Sequence, residues 1–205
     1  MINLLRDKST YSYPFVSIIT LNYNGKHYLA NLFKSLDQTD YPKDKLEIIM
    51  GDNGSTDKSV EYVETSFPFV KILSFDKNYG FCKGNNLCVK YAKGKYVVFL
   101  NTDTIVTKNW LKNLVNVVIS DKSVISAGSK LLKPYKINGK KVIDYAGGKI
   151  TYSLGLYEGI FDYDDEMYSI QKYTGFGCGA AVLVEKNFFD RIGGFDEYYF
   201  GGGEE

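Results

Sequence analysis

The 205-residue sequence predicts an α/β fold with a mainly parallel, Rossmann-like central sheet and helices on both faces. Three observations carry this. Runs of β-formers and amphipathic helical runs alternate four times before residue 120. The connections are short and rich in Asn, Asp and Gly. Each β-run also gives way to a small polar cluster, as strands of a parallel sheet do where their carboxyl ends face a ligand.

The elements follow in order. Residues 1–14 are a lead-in closed by Pro14. Residues 15–21 (FVSIITL) form the first strand, and Asn22-Tyr23-Asn24-Gly25 supplies its turn. Leu29, Leu32, Phe33 and Leu36 then fall on one helical face. Residues 46–50 form the second strand and 51–54 its turn. Ser55, Thr56 or Asp57 caps a helix that runs through Val60 and Val63. Residues 69–75 are the third strand, 76–84 a polar glycine-bearing loop, and 85–92 a helix. Residues 96–100 form the fourth strand, which runs into Asn101-Thr102-Asp103-Thr104. A helix with Trp110, Leu111, Leu114, Val115 and Val118 on one face comes next, with Thr107 placed to cap it.

The rhythm changes after residue 120. Residues 124–132, 141–145 and 149–153 read as strands without helices between them. Residues 161–168 (FDYDDEMY) are an acidic loop, 181–185 (AVLVE) a strand, and 187–192 a short helix. We read residues 1–205 as one domain. Its nucleotide-type half spans about 1–120, and a smaller β-rich half, 121–205, faces a second substrate.

Composition narrows the function classes. Twenty-five basic residues balance twenty-four acidic ones, so bulk charge favours neither nucleic acid nor an anionic membrane surface. Cys82, Cys88 and Cys178 form no C-x-x-C pair, which predicts reduced thiols and no zinc site. His27, the single histidine, cannot build a histidine cluster and is expected to face solvent. The start lacks an apolar signal region, and no apolar run reaches spanning length. The expected location is the cytoplasm, with at most peripheral association at the inner face of the cell membrane. There is no P-loop and no G-x-S-x-G elbow. Eighteen Tyr and thirteen Phe suit sugar contacts, although compositional drift accounts for them equally well.

The polar clusters carry the chemistry. Asp103, fixed at a strand tip, suits a hard divalent cation that shares its remaining positions with phosphate oxygens. Asp52 at the second tip can accept from a ribose hydroxyl or a base N–H; an Asx turn with a helix cap is the competing account. In residues 76–86 (DKNYGFCKGNN), Gly80 and Gly84 allow close backbone approach, and the helix start offers N–H groups to an anion. The tail, residues 195–205 (FDEYYFGGGEE), brings Asp196, Glu197, Glu204 and Glu205. A carboxylate there could serve as general base on an acceptor hydroxyl.

Taken together, five stretches resemble family 2 glycosyltransferases of the GT-A fold, in particular their rhamnosyltransferase-like branch: VSIITLNYNG, IIMGDNGSTDKSV, NYGFCKGNN, VVFLNTDT and GGFDEYYFGGGEE. The resemblance covers nearly the whole chain, with the stretches in family order. It implies an inverting, metal-assisted transfer from a nucleotide-sugar, most readily a UDP- or dTDP-sugar, to a hydroxyl of a glycan or lipid-linked saccharide. It implies that Leu21, Asn22, Tyr23 and Asp52 hold the nucleoside, and that Asn78, Gly80, Gly84 and Thr102 line the donor. Asp103 would bind Mg²⁺ or Mn²⁺. Glu204 and Glu205 match the family's acidic pair, with the second as base and Asp196 nearby. Asn101 replaces the first Asp of the family's D-x-D, and Glu205 stands where Asp is usual. The match ends at this pair, so the chain reads as a donor-binding core lacking further acceptor-side helices. The alternatives left open are a nucleotide-sugar-binding module without turnover and a nucleotidyltransferase on a similar sheet.

Overall fold

A computed structural model describes residues 12–150, 155–157 and 160–201. Four parallel strands form its centre: β1 (Val16–Asn22), β2 (Leu46–Asp52), β3 (Val70–Ser74) and β4 (Tyr96–Leu100). Their helical crossovers are α1 (Lys26–Asp37), α2 (Ser59–Ser66) and α3 (Gly80–Val89), and α4 (Trp110–Ser120) follows β4. Beyond α4 come β5 (Ser126–Gly128), β6 (Leu131–Ile137), β7 (Lys140–Tyr145), β8 (Gly148–Ile150), β9 (Gly155–Tyr157), β10 (Ala181–Glu185) and α5 (Lys186–Arg191). The main sheet has the order β3-β2-β1-β4-β10-β5. β10 lies antiparallel to both β4 and β5, so both halves of the chain build one sheet.

The period-2 alternation of strand side chains explains the two apolar layers. Val16, Ile18 and Val98 point into a core completed by Leu29, Leu32, Phe33 and Leu36 of α1, Val63 of α2, and Leu111, Leu114, Val115 and Val118 of α4. Ile19, Ile49, Val97 and Phe99 point the other way, against Cys88 and Val89 of α3 and Phe189 of α5. Each such side chain, once fully buried, contributes about 1.5–3 kcal/mol. Burial pushes the Cys88 thiol up to about 12, which fits a packed thiol with no reactive role. His27 is exposed, and among the described residues no helix is long and apolar enough to cross a membrane.

Several boundaries differ from the sequence reading. α3 begins at Gly80, not Asn85, because Asn78 accepts the Gly80 N–H and starts the helix before its glycines end. α2 begins at Ser59, with Asp57 supplying the cap from two residues back. α4 follows Asn109, and Thr107 contributes its carbonyl, not its hydroxyl, to the first turn. The expected strand over 124–132 divides into β5 and β6, which belong to different sheets. β6 and β7 form a hairpin around Asn138-Gly139, both with positive φ. Of the expected strand over 149–153, residues 151–153 lie outside the described residues.

Candidate functional site

The carboxyl ends of β1 and β2 are in register, with Asn22 paired to Asp52. The Asn22 Nδ2 donates to Asp52 Oδ1 and to Ser55 Oγ, each at 3.0 Å. Ser55 N–H donates to Asp52 Oδ2 at 2.9 Å, and Asn22 Oδ1 accepts the Gly25 N–H. Asp52 is only 3% exposed, yet each oxygen keeps a lone pair beyond the one bond it receives. The two turns are also tied to each other. Asn24, held at φ 53°, donates its N–H to Ser55 Oγ and accepts the Thr56 N–H at 2.8 Å. Tyr23 rides on this turn, about half exposed. The side chains of these two strand-end turns are therefore held in place by one another.

The turn after β2 is stitched in the same way to the loop before α3. The buried Asn53 donates from Nδ2 to Asn78 Oδ1 (2.9 Å) and to the Gly80 carbonyl (3.1 Å), and it accepts the Tyr79 N–H (3.0 Å). Gly80 stands at the start of α3 with φ +78°. Gly84 lies within α3, where a Cβ would come 2.6 Å from Leu21 Cδ2. Leu21 and Gly84 thus set how closely the helix approaches β1. Tyr79 O–H donates to Asp76 at 2.8 Å; this bond is the main cause that lowers the Asp76 carboxyl and raises the Tyr79 phenol from their ordinary ranges.

At the tip of β4, residues 101–104 close a turn, with the Thr104 hydroxyl and N–H both donating to the Asn101 carbonyl. Asn101 N–H is held by the Ala180 carbonyl just before β10. Thr102 Oγ1 lies 3.5 Å from the position of a Cβ on Gly25, which places it beside the Asn22 turn. Asp103 is exposed and makes no hydrogen bond or ion pair among the described residues. Among those residues there is no cluster of three His, Cys, Asp or Glu side chains. Among the described residues a divalent cation would therefore find one carboxylate here, Asp103, and would need its other oxygen ligands from elsewhere.

The structure brings Leu21, Asn22, Tyr23, Asp52, Asn78, Gly80, Gly84, Thr102 and Asp103 to one end of the sheet. Asp196 is exposed in a turn where its side chain accepts the Tyr198 N–H. Glu204 and Glu205 lie outside the described residues. Sequence reasoning missed the supporting residues Asn24, Asn53 and Ser55. Their signal is that N-Y-N-G and D-N-G-S-T follow two adjacent strands, where Asx side chains can cross-bond neighbouring turns. A separate cavity of about 610 Å³ opens between α4, β5 and residues 167–174, lined in part by Tyr145, Tyr168 and Tyr173. None of its lining residues belongs to the ends of β1, β2 or β4.

A parallel β3-β2-β1-β4 sheet extended by an antiparallel strand, with acidic and amide side chains at its carboxyl ends, defines the GT-A class of fold. Solved structures agree. The mannosyltransferase PcManGT from Pyrobaculum calidifontis, in complex with GDP-Man and Mn²⁺, superposes with a TM-score of 0.67 at 20% identity, over 91% of this chain and 48% of that one. The structure of residues 1–349 of Staphylococcus aureus TarS with UDP-GlcNAc gives 0.62 at 20% identity, over 89% and 48%. The chain belongs to Glycosyl transferase family 2, whose model matches residues 17–193. Among curated relatives, S. aureus TarS, a poly(ribitol-phosphate) β-N-acetylglucosaminyltransferase, is 30% identical over 62% of this chain and 22% of its own length. Escherichia coli WfgD, a UDP-Glc:α-D-GlcNAc-diphosphoundecaprenol β-1,3-glucosyltransferase, is 27% identical over 82% and 59%. The chain thus spans less than two thirds of the length of either relative.

Proposed function

We propose that this chain carries the donor site of an inverting glycosyltransferase that moves a sugar from a UDP- or dTDP-sugar to a hydroxyl of a glycan or lipid-linked saccharide. The carrying observation is the pairing, at one sheet end, of a pre-bonded Asn22–Asp52–Ser55 group, its Asn22 and Asp52 buried, with an exposed Asp103 carboxylate that makes no hydrogen bond or ion pair among the described residues. The first suits the uncharged nucleoside, because its acceptors are oriented and its burial is already offset. The second suits the diphosphate end. The UDP-GlcNAc of the TarS structure and the UDP-Glc of WfgD's name support a uridine donor. The diphosphoundecaprenol acceptor in that name supports a lipid-linked one.

In this reading, Asn22 and Asp52 orient ribose and base, and the backbone around Asn78 and Gly80 lies along the donor. Leu21 and Gly84 keep α3 close to the strand end, and Tyr23 and Thr102 flank the ligand. Asp103 would hold Mg²⁺ or Mn²⁺; such an ion supplies electrostatic stabilisation of a diphosphate leaving group. Glu205 takes the proton of the attacking acceptor hydroxyl, with Glu204 and Asp196 as the other acidic candidates.

The test is thermal denaturation with UDP, dTDP, GDP, UDP-GlcNAc and GDP-Man, each with and without Mn²⁺. A bound ligand raises apparent stability by mass action, by about 2.7 kcal/mol at a hundredfold excess over Kd. The expected result is a Mn²⁺-dependent rise with uridine or thymidine nucleotides. No rise with any nucleotide would refute the donor site.

A further inference from the structure

We propose that the cavity between α4, β5 and residues 167–174 is a saccharide-binding site for uncharged sugar units, separate from the nucleotide site. At about 610 Å³ it falls within the range of about 300–1,000 Å³ typical of small-ligand sites. Its lining offers rings, amides and hydroxyls. Tyr145 is buried, whereas Tyr168 and Tyr173 are more exposed, and Asn116, Ser120 and Gln171 add hydrogen-bonding groups. A sugar ring has an apolar C–H face and a rim of hydroxyls, and a tyrosine-and-amide lining meets both.

Charge decides against an anionic ligand. The charged lining residues are Asp121, Lys130 and Lys172. Lys130 is bound to Asp164 at 2.6 Å. Asp121 accepts the Ser123 N–H and hydroxyl at 2.9 and 2.6 Å and the Tyr173 hydroxyl at 3.2 Å. With Asp164 included, the two cations are balanced by two anions, so a phosphate or carboxylate meets no excess of positive charge. The Tyr173–Asp121 bond also ties the segment across the cavity to the end of α4. The other end of that segment is tied to β7 and β8. Tyr145 O–H donates to the Phe176 carbonyl and Gly175 N–H to the Gly148 carbonyl, each at 2.6 Å.

The edge of the main sheet adds fixed main-chain partners. β5 is its last strand and, among the described residues, pairs only with β10. Ser129 N–H donates to the Ala181 carbonyl, and Glu185 N–H to the Ile125 carbonyl. By antiparallel alternation, Ser126 and Gly128 therefore turn their N–H and C=O groups away from β10, and both residues line the cavity. Sugar hydroxyls donate and accept, so they can use both kinds of group. An extended peptide would find only a three-residue edge, and edges that short pair poorly. Ser129 is level with Leu100, because Ala181 bonds to the one and pairs with the other. If the ends of β1, β2 and β4 hold the donor as read above, the Ser129 end of the cavity lies two strand spacings, about 10 Å, from the β4 tip. That is a suitable place for part of an acceptor glycan.

The experiment is saturation-transfer NMR on the full chain. The probes are the methyl glycosides of glucose, N-acetylglucosamine, galactose, mannose and rhamnose, each with and without UDP and Mn²⁺. The expected result is transfer to at least one glycoside, which UDP and Mn²⁺ leave in place. Tyr173→Ala should weaken that binding about tenfold, the scale of one lost aromatic contact. Asn116→Trp, at an exposed position of α4, fills the cavity and should abolish the transfer; it decides the matter if Tyr173→Ala does not fold. Transfer to none of the glycosides would overturn the proposal, as would transfer that survives Asn116→Trp or that UDP displaces. Binding of an acetylated Thr-Val repeat hexapeptide in place of the glycosides would make the cavity a strand-pairing site and overturn it too. Failure of the donor site shows separately, as no nucleotide-dependent rise in thermal stability.

Discussion

Asp52 and Asp103 are both strand-tip aspartates, yet their surroundings differ enough to separate their roles by experiment. Asp52 is buried and receives hydrogen bonds from Asn22 and Ser55. Asp52→Ala strands those donors away from water, at about 1–3 kcal/mol, so it should lower the thermal midpoint as well as nucleotide affinity. Asp103 is exposed and makes no hydrogen bond or ion pair among the described residues, so Asp103→Ala should leave the midpoint of the unliganded protein where it is. Its expected effect is loss of the Mn²⁺-dependent part of the UDP shift and a fall in UDP release from UDP-GlcNAc on the order of 10²-fold or more. Full activity and full metal dependence in Asp103→Ala would remove it from the site.

At the scale of elements, the residue that ties the site's scaffold together is Asp57. Its Oδ2 accepts the N–H of Lys26, the first residue of α1, at 2.9 Å. Its Oδ1 accepts the N–H and hydroxyl of Ser59, the first residue of α2. One carboxylate therefore faces the positive ends of two helices. Partial burial opposes its charge, but these hydrogen bonds outweigh that and hold the carboxyl below its ordinary range. Since the folded-state value lies below the unfolded one, near 3.9, the stabilisation is complete above about pH 4. It is lost as pH falls through the lower, folded-state value. Asp57→Asn should accordingly lower the urea midpoint near neutral pH, with the gap to wild type closing as pH falls below about 4. A gap that stays constant across that range would show that the charge contributes nothing.

The same scale shows what could be read in advance. The four parallel strands were legible because each is a run rich in β-formers with Asn or Asp at its end or within two residues of it, and α1 and α4 because their apolar residues repeat at helical spacing. The start of α3 was not, because G-F-C-K-G-N-N has loop composition. The helix tolerates Gly84 there for the sake of Leu21, a tertiary reason that no local pattern reveals. The β6–β7 hairpin did carry a signal, Asn138-Gly139, which the flanking lysine-rich stretch obscured. The direction of β10 was beyond reach, since a five-residue apolar run pairs equally well either way. The hydrogen bond from Asn86 to the Phe195 carbonyl was invisible because the two lie 109 residues apart.

For the whole molecule, the decisive feature is that β10, from the second half, is the strand bonded to β4 from the first. Ala181 pairs with Leu100 and Glu185 with Tyr96, and β5 closes the far side. Val97 and Phe99 owe part of their burial to Val184 and Phe189, so residues 12–120 do not complete this core by themselves. The candidate-site turns are built on that same sheet, and Asn101 at the β4 tip is held from Ala180. Unfolding is therefore expected to be a single cooperative step. Trp110, the one tryptophan, is a convenient probe, because its indole N–H donates to Ser129 Oγ across the junction of the two halves at 2.8 Å. Its fluorescence and the far-ultraviolet circular dichroism should give coincident urea midpoints, as a two-state transition requires. A fluorescence change that precedes the loss of helix would show instead that the second half detaches first, leaving β4 as an exposed edge.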